Sequence, residues 1–180
     1  LQEARAVPLS CSEGRLYWEL TPGAYRVLAI VHKPCLWTTG AGVRYMDCLN
    51  PQAVEAFIRC THESYRENLS PEAFSHIEAF FSDEPGLPVH GCSAIFDEPD
   101  PVVPWTAGLN AVFESRYGYQ VIPRLTSLFF DTADAAGVRR DFWQLVSRRL
   151  EEAYFGRIAD WCARYDILLT GHLYGEESLS

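Results

Sequence analysis

Residues 77–86 read IEAFFSDEPG, a short apolar run that stops abruptly at Ser82-Asp83-Glu84-Pro85. Residues 166–178, DILLTGHLYGEES, repeat the plan: an apolar run breaks at Gly171 and is followed by His172, Glu176 and Glu177. Short apolar strands without polar alternation are buried on both faces, and between amphipathic helices they indicate a parallel sheet covered by helices. The expected fold class is therefore α/β, built of parallel β/α units. In such folds functional groups collect at the carboxyl ends of the strands, at a barrel mouth or at a switch point in an open sheet.

Working outward, the helices are well marked. Asn50-Pro51 offers a cap and a proline for the first helical position. Val54, Phe57, Ile58, Thr61 and Tyr65 then recur at helical spacing, predicting a helix over 51–68. Thr106 to Tyr117 reads as a helix stopped by Gly118, and VIPRLTSLFF (121–130) as a shorter one. The longest amphipathic pattern covers 136–165, with Val138, Phe142, Leu145, Val146, Leu150, Ala153, Tyr154, Ile158, Trp161 and Cys162 on one stripe. Further strands are expected on either side of Thr21-Pro22-Gly23, the second over Tyr25–His32, and over VRYMDCL (43–49). Residues 86–104, rich in Gly and Pro, read as one long loop.

Composition narrows the function classes. With 180 residues, 48% of them hydrophobic, one domain with a substantial core is affordable. A formal charge of −9 argues against nucleic-acid binding and against docking on anionic lipid. No apolar run is long enough to span a bilayer. The six cysteines show no zinc spacing, and Cys60 and Cys162 sit among apolar residues, so buried thiols and a reducing, cytoplasmic compartment are expected. Leu1 is not an initiator Met and no signal sequence follows it, so a piece of a longer protein is expected, for which secretion stays open.

Each expected strand in the helical part ends in acid or imidazole: Asp47 after RYM, Asp83 and Glu84 after the run at 77–81, and His172 with Glu176 and Glu177 after the run at 167–170. Parallel strands would bring these groups to one rim. Converging carboxylates are what glycosidic bond hydrolysis needs. One protonates the leaving oxygen, while a second, about 5 Å or about 6.5–9.5 Å away, attacks the sugar or activates water. Burial and mutual repulsion raise the pKa of one member of such a pair. His172 could bind a sugar hydroxyl, and Trp37 and Trp105 could stack on a pyranose ring. Against these stand ordinary structural readings: Asp47 as a helix-cap neighbour, the tryptophans as core, His172 as a satisfied imidazole. Asp97-Glu98-Pro99 repeats the tripeptide inside the long loop, where no strand holds it rigid.

The stretches WELTPGAYRVL (18–28), LNPQAVEAFIRCTHESY (49–65), FFSDEPG (80–86), PWTAGLNAVFESRYGY (104–119), RRDFWQLVSRRL (139–150) and LLTGHLYGEESL (168–179) together resemble the catalytic barrel of α-L-rhamnosidase-like glycoside hydrolases, family 106 and its relatives. The resemblance implies part of a TIM-type (β/α)8 barrel over 35–180, with 1–34 an N-terminal β segment leading into it. It further implies carboxylate catalysis, with Glu84 and Glu176 on the family's acidic positions, and in some members a calcium ion; by their own places at strand ends and in loops, Asp83, His172, Asp47, Trp105 and Glu177 are the expected substrate-binding residues. An oligosaccharide or glycoside is the implied substrate, and the rest of a multidomain chain the implied partner. About half a barrel is present, so the fragment itself could lack an acid supplied by a later strand. Two other readings remain at this point: a barrel that binds carbohydrate without cleaving it, and a hydrolase holding a divalent ion through Asp47, Asp83, His172 and Glu176.

Overall fold

The computed structural model of the chain describes residues 10–13, 15–17, 22–24, 27–35, 44–88 and 101–173. A hairpin comes first, β1 (Ser10–Ser12) antiparallel to β2 (Arg15–Tyr17). Asn50 then accepts the Gln52 N–H at 3.0 Å, and with Pro51 at the first helical position α1 (Pro51–Cys60) begins where cap and proline predict. The continuous helix expected over 51–68 is interrupted at Thr61, whose hydroxyl donates to the Phe57 carbonyl at 2.6 Å; α2 (His62–Asn68) follows at once. Ser70 caps α3 (Pro71–Ser75) through the Ala73 N–H. Beyond β3 (Ala79–Asp83) come α4 (Leu109–Tyr117), a 3-10 turn over Ile122–Arg124 and α5 (Thr126–Phe129). Gly118 closes α4 in the left-handed conformation, φ 74°, as its place after Tyr117 predicts.

The long amphipathic stretch folds as α6 (Ala135–Leu150), a π turn over Glu151–Phe155 and α7 (Gly156–Ala163), and it leads into β4 (Leu168–His172). In the π turn the Gly156 N–H donates to the Glu151 carbonyl, five residues back, which widens the helix by one residue. Among the described residues no helix is long and apolar enough to cross a membrane.

Two expected strands differ. Of the strand expected over Tyr25–His32, Tyr25 and Arg26 lie outside the described residues, and 27–32 carry no regular structure, with Val31 73% exposed. Their β-branched content favours a strand only beside a partner strand, and none of the described strands pairs with them. At 44–49 a single bridge at Arg44 gives way to a turn, because the Asp47 carboxylate accepts the Leu49 N–H at 3.0 Å and its carbonyl accepts the Asn50 N–H at 3.1 Å. Cysteine burial is also uneven. Cys48 and Cys162 are buried free thiols, the former pushed up to about 12 mainly by burial, whereas Cys60 is exposed because it stands off the Val54–Ile58 stripe.

Strands β3 and β4 pair in parallel, with Ala79 opposite Leu168, Phe81 opposite Thr170 and Asp83 opposite His172. One face of the pair turns inward. Phe80 meets Trp161 edge-on at 5.6 Å, and buried Ser82 reaches Tyr154. A core of Val54, Ile58, Tyr154, Ile158, Trp161 and Cys162 lies beneath that face. The other face is bare: Phe81 is 57% and Leu168 70% exposed. A second core, around Leu49, Leu109, Phe113, Val121 and Phe142, packs α4 against α6. The α6–α7 helix serves both cores, one with each half. The described sheet is thus two parallel strands covered by helices on one side.

Candidate functional site

The carboxyl end of β3 is built from its backbone outward. Ser82 is the last inward residue, and its hydroxyl lies 3.0 Å from that of Tyr154, in the π turn. Asp83 faces out at the strand's end. Glu84 then adopts φ 44°, in the left-handed region. Few non-glycine residues enter that region, and a residue before proline is biased toward extended backbone, so Glu84 departs from both preferences. Such conformations cost about 1–3 kcal/mol and persist only where the surroundings over-determine them. Here Pro85 and Gly86 are buried, and the Gly86 N–H donates to the Tyr45 hydroxyl at 2.8 Å. The five residues Ser82–Gly86 are thereby tied to a tyrosine at each end. Burial raises the pKa of both phenols, so each stays protonated well past neutrality.

Beside this turn stands the end of β4. His172 is the register partner of Asp83, with Nδ1 3.9 Å from Oδ1 of that carboxylate. That separation suits charge attraction to a protonated ring and exceeds a direct hydrogen bond. The imidazole also meets Phe81 edge-on at 5.1 Å. Both groups face solvent, Asp83 at 76% and His172 at 55% side-chain exposure. Gly171 permits the pair to come together: its backbone runs so close to Ser82 that a Cβ would lie 1.9 Å from the Ser82 carbonyl oxygen.

Three expected site residues are therefore neighbours at one rim: Asp83, Glu84 and His172. Two others serve the scaffold. Asp47 uses one carboxylate oxygen on the Leu49 N–H and accepts the Thr106 hydroxyl on the other at 2.7 Å, stitching the turn before α1 to the segment before α4. Trp105 stacks on Phe142 at 6.3 Å with the rings 20° apart, against the second core. Its remaining surface lines a cleft of about 750 Å³ with Val103, Ile122, Phe129 and residues 28–35. Glu176, Glu177, Trp37 and Glu98 lie outside the described residues.

Tyr45 and Tyr154, which bond to the two ends of this turn, were not among the expected candidates: Tyr45 lay in the strand expected over 43–49 and Tyr154 on the apolar stripe of 136–165. The usable signal is the phenol: a buried tyrosine oxygen needs a polar partner, and nearby strand ends supply such partners.

For the calcium ion that the resemblance implies, the fit is poor among the described residues. No three His, Cys, Asp or Glu side chains come together there, and the Asp47 carboxylate is engaged on both oxygens. Comparison with protein-family models, curated proteins and solved structures returned no match.

Proposed function

We propose that the chain forms part of a glycoside hydrolase barrel of the α-L-rhamnosidase type, with Glu84 as one catalytic carboxylate. The observation that carries this reading is the rim itself. Two adjacent parallel strands finish side by side in Asp83 and His172, and the next residue, Glu84, is held in a strained backbone conformation. The layering agrees with it. In a (β/α)8 barrel helices cover the outside of the sheet and side chains of other strands fill the inside. Among the described residues, helices pack on the Phe80–Ser82 side of β3–β4 and leave the Phe81–Leu168 face exposed, so that face would be the interior wall.

In this reading Glu84 gives its proton to the glycosidic oxygen, or takes one from the attacking water, and Glu176 is the second carboxylate. Asp83 and His172, exposed on the same rim, bind sugar hydroxyls. The whole domain would be the barrel, entered through the segment 1–34, and the substrate an oligosaccharide or glycoside. No step requires a metal.

The test is Glu84→Gln in the full-length protein, assayed against a panel of aryl glycosides. Turnover is expected to fall about 10²–10⁴-fold with binding retained, since the amide keeps the shape and loses the proton chemistry. Glu98→Gln serves as the control and should change turnover little. Undiminished hydrolysis by Glu84→Gln would sink the assignment, and sugar binding without turnover in the unaltered protein would favour a carbohydrate-binding module.

A further inference from the structure

We infer that Tyr45 is a positioning residue for Glu84, holding the turn after β3 in its left-handed conformation; the catalytic side of this inference rests on the glycosidase reading. A backbone at φ 44° ahead of a proline relaxes toward the extended region unless its neighbours prevent it. On the strand side, Ser82 is fixed by its pairing with Gly171 and by the Tyr154 hydroxyl, so β3 stays in place whatever follows it. On the far side the tie is the bond from the Gly86 N–H to the Tyr45 hydroxyl. Tyr45 comes from a different part of the chain, just before α1, and its ring packs against the core beneath the sheet. It therefore anchors Gly86 to the helical layer rather than to the strand. With Tyr154 fixing one end of Ser82–Gly86 and Tyr45 the other, the residues between cannot unwind, and the Glu84 side chain keeps one direction relative to Asp83 and His172. The two tyrosines act on separate atoms of the turn, and of their two bonds the Tyr45 one lies beyond the strained residue.

Tyr45→Phe in the full-length protein tests this, because it removes a single oxygen and leaves the packed ring. Two measurements are made. In the first, Glu84→Gly is introduced into the Tyr45 and Tyr45→Phe proteins and the Tm of all four is compared. Glycine is at ease with positive φ, so it should raise Tm by a few degrees when Tyr45 holds the turn. In the Tyr45→Phe protein the gain should be clearly smaller, because the turn has already relaxed. In the second, Tyr45→Phe with Glu84 intact should lower kcat by about 10- to 100-fold on the best aryl glycoside with KM little changed, as expected when a reacting group is displaced rather than removed. Equal Tm gains in the two backgrounds overturn the inference. So does an unchanged kcat beside unequal gains, which would make the bond a structural clamp only. Failure of the glycosidase reading looks different: full turnover in Glu84→Gln, with the four-protein Tm comparison still reporting whether Tyr45 holds the turn.

Discussion

Gly171 is where a single atom decides whether two strands meet. A Cβ there would lie 1.9 Å from the Ser82 carbonyl oxygen, 2.8 Å from its carbon and 3.0 Å from its nitrogen, all backbone atoms that cannot rotate away. Its φ of 156° adds to the restriction. Gly171→Ala is expected to force β3 and β4 apart and to destabilise the fold by about 1–3 kcal/mol or more, read as a lower urea midpoint at unchanged slope. Because Asp83 and His172 are the next pair in the ladder, the same substitution should also separate them. At this scale the sequence was partly legible. Gly171 could be read as the end of an apolar run, but nothing in a one-dimensional pattern says that the glycine's partner is Ser82, some ninety residues earlier.

Among the elements, the π turn does the most to connect scaffold and site. By widening the helix at Glu151–Phe155 it lets α6 face one core and α7 the other, and it places the Tyr154 hydroxyl against buried Ser82. Tyr154→Phe should therefore cost about 1–3 kcal/mol, the penalty for leaving the Ser82 hydroxyl buried without its partner. The double variant with Ser82→Ala should cost less than the sum of the two single variants, since removing both polar groups leaves neither stranded; denaturant titration of the four proteins measures the difference. The helices themselves were legible because caps, prolines and a 3.6-residue stripe are local signals. The π turn was not, since a continuous apolar stripe tolerates one extra residue without interruption. Residues 27–32 misled for the opposite reason: β-branched residues describe what a strand can accept, while strand formation needs a neighbour. That Asp83, Glu84 and His172 stand together at one rim was legible from the rule about strand ends. Asp47 followed the same rule but belongs to a turn, and a carboxylate two residues before a free N–H folds back on it.

At the scale of the whole molecule, His62 stands where the helical layer meets the sheet. It is buried, and its ring contacts Phe57 of α1 at 5.6 Å, Phe80 of β3 at 4.6 Å and Trp161 of α7 at 5.2 Å. The Thr61 hydroxyl already donates to the Phe57 carbonyl, so it accepts at 2.8 Å from Nδ1–H, which sets the tautomer. Burial lowers the His62 pKa below its ordinary 6.5, with Glu63 opposing the shift. A lowered folded-state value means that the unfolded chain takes up the proton first. The contribution is then fully present above about pH 6.5 and is lost as the pH falls through the folded-state value, at about 1.4 kcal/mol for each unit of depression. Urea midpoints should fall between pH 7.5 and 5.5, above the range where carboxylates titrate, and His62→Gln should flatten that slope. A final consequence concerns assembly order. Asp83 and His172 are neighbours in space, yet residues 84–167 lie between their strands. Closing a loop of that length costs more entropy than any local contact in the chain, so the helices must first shorten the path before the pair can form. The rim on which the proposed chemistry depends is thus a product of non-local pairing, as is the contact between Glu55 of α1 and Arg157 of α7, whose residues lie 102 apart in the chain.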